Sequence, residues 1–225
     1  TIYARAMGTE GNAISLSASP ATGVFQATAS GSFFSGGVDG EWRTDLTATP
    51  RINRAARDWS RSYYSALQSY GIDVASAFSM ELQHGDPDPA AGIAQRYHDG
   101  GAVQLTTPAL QTNFSPASLA FWQQVYEDMA VVMADAGCVP YLQFGEVQWW
   151  YFAWDQKPEN PHDSLPLYDA YTTSLFATTF GRPMHVFAGS NDSPAGYADE
   201  TQFLRGLIGA FTDQGQVRIY GELWN

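Results

Sequence analysis

The chain has one cysteine, Cys138, and one lysine, Lys157. A single cysteine excludes an intrachain disulfide. It follows an apolar helical stretch and reads as a small buried thiol rather than a nucleophile. Positive charge is scarce: 11 Lys and Arg face 23 Asp and Glu, a net charge of -12. That balance argues against binding nucleic acid or an anionic membrane surface, either of which calls for an extensive basic face. No apolar run approaches the roughly 20 residues of a membrane span, and no secretory leader is visible. No dinucleotide glycine fingerprint or phosphate loop follows any strand, and no Gly-x-Ser-x-Gly elbow occurs, so no cofactor is expected and the α/β-hydrolase chemistry is disfavoured. His84 lies near Asp86 and Asp88, but no second histidine stands at ligand spacing, so no metal is expected. Charged residues make up 15% of the 225 and hydrophobic residues 44%, the composition of a globular chain long enough for one large or two small domains.

Two textures divide the chain. Residues 1–48 are rich in Gly, Ser, Ala and Thr. Short alternating runs around Ile14–Leu16 and Val24–Ala27 flank a Ser19-Pro20-Ala21-Thr22-Gly23 turn, the pattern of an antiparallel β element. Residues 49–225 carry a βα rhythm. Thr49-Pro50 is expected to start a helix whose buried face is Ile52, Ala56, Trp59, Tyr63, Leu67 and Tyr70, ending at Gly71. A strand over 72–82, a short helix over 89–98 and a short strand over 102–105 follow. Ser115-Pro116 caps a second long helix with Leu119, Trp122, Tyr126, Met129, Met133 and Ala136 on one face, stopped by Gly137. Beyond it come a strand over 139–144, a helix over 167–180, a strand over 184–188, a helix around Phe203–Phe211 and a last strand over 217–220. Strands alternating with helices predict an α/β fold, a TIM-barrel-like (β/α) domain with an N-terminal antiparallel β element. On this count two strands of an eightfold barrel are missing. Either the barrel is incomplete or the N-terminal element fills the gap. The chain runs from Thr1 to Asn225, inside a candidate site, and reads as a piece of a larger polypeptide.

Three predicted strands end in a glutamate: Glu81, Glu146 and Glu222. On the second, fourth and sixth strands they would share one mouth, because alternate barrel strands contribute to the same layer. Two convergent carboxylates are the minimal apparatus of glycoside hydrolysis, at about 5–5.5 Å where the second attacks the anomeric carbon or about 6.5–9.5 Å where it activates water. Glu146, set among apolar neighbours, suits the acid; Glu222 suits the base or nucleophile. The plainer alternative is that each glutamate closes its strand and pairs with an arginine or a loop amide. After Glu146 come Gln148, Trp149, Trp150, Tyr151 and Trp154, and Trp224 follows Glu222. Such rings stack on the C–H faces of sugars, although a loop also buries aromatics simply to pack. His84 and Asn191, each just past a predicted strand end, complete the candidate sugar-binding set.

The segment Phe144-Gly145-Glu146-Val147-Gln148-Trp149-Trp150 resembles the fourth-strand end of the TIM-barrel glycoside hydrolases of clan A. The resemblance implies Glu146 as acid/base, retaining hydrolysis of an oligo- or polysaccharide, and an extracellular or cell-surface setting. Gly145 stands where the clan has Asn, and Glu222 falls on the sixth strand where the clan's nucleophile closes the seventh. The alternative is a non-catalytic carbohydrate-binding or structural module of a larger surface or phage-type protein, to which the Gly/Ser/Thr-rich N-terminal element points.

Overall fold

The structure is a computed structural model and describes residues 13–15, 43–104, 109–144, 164–188 and 192–223, with 216–223 as backbone alone. The chain divides into two compact units, Thr1–Trp42 and Arg43–Asn225. Everything below concerns the second.

Among the described residues, four α-helices and four short strands organise that unit: α1 (Arg54–Ser69), β1 (Ala75–Ala77), β2 (Glu81–Gln83), β3 (Ala109–Gln111), α2 (Pro116–Asp135), β4 (Tyr141–Gln143), α3 (Ala170–Phe180) and α4 (Ala198–Leu223). β1 and β4 pair in parallel, Ala75 opposite Tyr141 and Ala77 opposite Gln143. α2 lies between them in the chain. Strand, helix and parallel strand thus form the βαβ unit from which parallel sheets are built. An antiparallel excursion interrupts the crossover: β2 pairs with β3, Glu81 opposite Gln111. Beside β3 the backbones of Gln95, Val103 and Gln111 close a ring. Val103 N–H donates to the Gln95 carbonyl, Gln95 N–H to Gln111, and Gln111 N–H to Val103, at 2.8 to 2.9 Å.

The helices start and stop where their caps dictate. Ser115 accepts the Ser118 N–H and Pro116 opens α2. Asp169 accepts the N–H groups of Tyr171 and Thr172 at the start of α3, and Gly181, at φ +68°, ends it in a conformation that costs glycine nothing. α1 departs from expectation at its start. It begins at Arg54, capped by Asn53 accepting the Ala56 N–H at 2.9 Å, not at Thr49-Pro50. An asparagine side chain that reaches its own helix outcompetes an upstream proline.

Two cores result. The larger joins α1, α2, β2, β3 and β4 through Met80, Ile93, Leu110, Trp122, Tyr126, Met133, Leu142 and Phe144, and receives Phe211 from α4. The smaller gathers Leu165, Leu167, Phe176, Met184, Phe187 and Leu204. Cys138 is buried and unpaired, as its apolar context requires.

Five further sequence expectations are corrected. The strand expected over 72–82 is two strands in different sheets, parted at Phe78–Met80, because Met80 is needed in the core while its carbonyl binds Thr112. The helix over 89–98 is a single 3-10 turn, Pro89–Ala91, followed by extended backbone. Residues 184–188 form no strand; side chains take up their N–H groups, the His185 N–H going to Glu200, the Phe187 N–H to Tyr168 and the Ala188 N–H to Asp192. The final strand over 217–220 is helix, since α4 runs unbroken to Leu223. Finally, α1 buries Ser60 and Tyr64, while Trp59, Tyr63 and Tyr70 stand in solvent.

Candidate functional site

In a parallel barrel, chemistry gathers where strands end. Here β1 and β4 end at a hydrogen-bonded aromatic cluster. Tyr126, on α2 and fully buried, receives the Phe78 N–H at 3.1 Å and donates its hydroxyl to the Gln143 carbonyl at 2.7 Å. One side chain thus ties together the two parallel strand ends. Phe78 meets the Tyr126 ring edge-on at 5.2 Å, Phe144 lies 5.1 Å from it, and Phe211 of α4 follows at 6.0 Å from Phe144 and 5.5 Å from Phe114. α4 crosses this cluster so closely that a Cβ on Gly215 would sit 2.3 Å from Phe144 Cζ. Gln123 on α2 donates to the Gln214 carbonyl at 3.0 Å, holding the crossing. The described part of this strand end is packed with ring against ring, an arrangement that suits rigidity.

The residues expected to form a sugar site are not brought together among the described residues. Glu81 is half-buried on β2, opposite Gln111. His84 is exposed at the following turn, at φ +51°, with its carbonyl accepting the Thr44 N–H. Glu222 lies within α4 rather than at a strand end, so the expected convergence of three strand-end carboxylates is not the architecture here. Glu146, Gln148, Trp149, Trp150, Tyr151, Trp154, Asn191 and Trp224 lie outside the described residues. No group of three or more His, Cys, Asp or Glu side chains suited to a metal ion occurs among the described residues.

Two polar clusters escaped sequence reading. Arg182, just past α3, reaches Glu200 on the first turn of α4, with Nη1 to Oε1 at 2.7 Å and Nη2 to Oε2 at 3.1 Å, and also Asp199 at 3.1 Å. Glu200 is 1% exposed. The guanidinium, helped by the His185 N–H, holds its carboxyl down at about 2 against the opposing effect of burial. Beside it His185 stacks on Tyr197 at 4.0 Å and meets Asp192 at 2.9 Å, a hydrogen bond that lowers the Asp192 pKa. The second cluster surrounds Asp169, whose pKa burial raises. Its Oδ1 takes the cap bonds and the Asn113 amide at 3.2 Å, and the Thr172 hydroxyl and Gln95 amide beside it oppose the rise. The available signal was Asp169 before an apolar helical run and Asp199-Glu200 at a helix start with a lone Arg182 upstream. Each could be read as a cap, but not as a link between distant elements.

α4 also carries two shallow apolar grooves. One, of about 530 Å³, is lined by Pro194, Ala195, Leu204, Ile208 and Gly209; the other, of about 360 Å³, by Leu175, Phe180, Phe203 and Leu207. Neither is lined by a pair of carboxylates.

The family model described as "Non-contractile tail sheath protein TIM barrel" matches residues 35–192. No curated protein and no solved structure matches. The match overturns the resemblance to clan A glycoside hydrolases and, with it, the hydrolase and glycosidase reading and the role of Glu146 as acid/base. The cause of the error is physical: a glutamate closing a parallel strand beside aromatics satisfies the geometry of many barrels, and fold does not carry function.

Proposed function

The chain belongs to the family of non-contractile tail sheath protein TIM-barrel domains, and we propose from that premise that it is a structural module of a phage-type tail, working by assembly with further polypeptides, chiefly copies of itself. The observation that carries this reading is the family match over residues 35–192, well over half the chain. The packed strand end supports it. Phe78, Tyr126, Phe144 and Phe211 make a stiff joint between the parallel strands and α4, which is what a load-bearing module needs. The reading makes the protein a scaffold, and a carbohydrate partner has no support.

The finer architecture is part of the same proposal. A barrel-like domain over residues 49–225 carries a β-rich element over 1–48, supported by the division of the chain into compact units at Trp42 and Arg43. The barrel is irregular or incomplete. In support, the parallel pair β1–β4 leaves Ala75, Ala77, Tyr141 and Gln143 exposed on one face while Ser76 and Leu142 pack inward, whereas barrel strands are ordinarily covered on both.

The test is assembly. The purified chain is followed by light scattering and electron microscopy over increasing concentration. Concentration-dependent rings, stacks or tubes are expected. A chain that remains monomeric throughout overturns the reading.

A further inference from the structure

α1 is built unlike an ordinary surface helix. Its buried stripe contains Ser60 and Tyr64, and Tyr64 spends its hydroxyl on Ser76 of β1. Its large aromatics face outward. Trp59 is 66% exposed, Tyr63 46% and Tyr70, at the C-cap, 82%. Trp59 and Tyr63 stack at 5.1 Å with 13° between their planes, a pre-formed flat surface. At spacings of four and seven these residues form one edge of the helix's solvent face. Ser62, Ser65 and Ser69 form its middle, and Arg54 and Arg61 the opposite edge. α1 contains neither Lys nor Glu. Trp, Tyr and Arg are the residue types enriched at interfaces and at their hot spots. Exposing three large rings in a row otherwise carries a solubility cost with nothing gained.

Charge names the occupant. Arg51, Arg54, Arg57 and Arg61, set against Asp58, give residues 51–61 a net +3, while the whole chain is -12, which leaves -15 elsewhere. Arg54 pairs with Asp58, and Arg61 with Asp58 and Asp135, at 3.3 to 3.4 Å, solvent-exposed contacts of little strength that a partner's carboxylates can replace. Two copies of this basic face repel each other, whereas the acidic remainder of a second copy attracts it.

We propose that the solvent face of α1, with Trp59, Tyr63 and Tyr70 as anchors and Arg54 and Arg61 as charged rim, docks on the acidic surface of a second copy of this chain. The inference rests on the assembly role proposed above. Because the two joined surfaces differ, the contact is head-to-tail. A repeated head-to-tail contact builds closed rings or open helical tubes rather than isolated dimers.

The experiment compares the full chain with W59S/Y63S/Y70S and with R54E in sedimentation velocity and electron microscopy, with near-UV circular dichroism reporting the fold. All four side chains are exposed, so native folding is expected; R54E, a single exposed substitution, carries the test if the triple variant misfolds. Self-association of both variants is expected to weaken by at least about tenfold. That of the wild type should weaken with added salt. A photoreactive residue at position 63 is expected to link to a neighbouring copy outside α1. Assembly unchanged in folded variants overturns the α1 surface and leaves the assembly role standing. Links from α1 to α1 overturn the head-to-tail contact. A wild-type chain that never assembles overturns both.

Discussion

Gly215 and Phe144 lie in a contact that admits no side chain at position 215: a Cβ there would come within 2.3 Å of the ring. Helix propensity alone favours alanine over glycine in a helix interior by about 1 kcal/mol. The clash wins, because a buried ring walled in by Tyr126 and Phe211 cannot move aside. Gly215→Ala is therefore expected to destabilise by about 1–3 kcal/mol. Phe144→Ala, which opens a cavity, should cost about 3–5 kcal/mol. The double variant should cost clearly less than the sum, since the new methyl group enters the vacated space. Urea unfolding of the four proteins checks this; strict additivity would show that α4 does not cross β4 at these residues.

The Tyr126 hydroxyl satisfies Phe78 N–H and the Gln143 carbonyl at once. Tyr126→Phe keeps the ring and removes both bonds. A loss of about 1–3 kcal/mol is expected, because two backbone groups are left unpaired in the core. Hydrogen exchange should quicken at the Phe78 amide first. Unchanged exchange there would remove Tyr126 from its role as a strand tie.

Glu200 makes stability depend on acid. Its carboxyl titrates at about 2 when folded against 4.5 ordinarily. A depressed carboxyl pKa contributes stability that is fully present above about 4.5 and is lost as pH falls through about 2. Glu200→Gln should lower the melting temperature near neutrality and flatten its decline between about pH 5 and pH 2. Arg182 is 43% exposed, so water already screens part of the pair. A parallel acid profile in wild type and variant would assign the acid sensitivity elsewhere.

Asp169 works in the opposite sense. Burial raises its pKa above the ordinary carboxylate value. A raised folded pKa contributes stability present at low pH and lost as pH rises through that pKa. Asp169→Asn keeps the cap of α3 and removes the buried charge, so its stability should fall less than that of the wild type on going from acid to neutral pH. Asp169→Ala loses the cap as well and should cost about 1–2 kcal/mol. Thermal melts across pH check both; an Asn variant as pH-dependent as wild type would place the buried charge elsewhere.

Much of the secondary structure was legible in sequence because it is locally encoded. Ser115-Pro116, Gly137 and Gly181 mark ends by backbone chemistry within a few residues, and Cys138 sits in a run that can only be interior. Boundaries failed where a non-local partner overruled the local signal. Met80 breaks the 72–82 run because Thr112 and Gln111 take its carbonyl. Residues 184–188 give up a sheet ladder because Glu200 and Tyr168 take their N–H groups. The glycoside hydrolase reading failed for a different reason. A carboxylate beside aromatics is a composition, and composition does not say whether rings bind a ligand, fill a core or meet another subunit.

By itself, the sequence determined the charge balance, the exclusion of an intrachain disulfide and the helix ends marked by Ser115-Pro116, Gly137 and Gly181, since each follows from residue identity or from contacts within one helical turn. The tertiary structure alone decided which face of α1 is buried. Periodicity assigns Trp59, Tyr63 and Tyr70 to one stripe but cannot say which side of that stripe meets α2; Tyr64, bonded to Ser76 across the α1–β1 junction, turns the helix so that the aromatics face solvent.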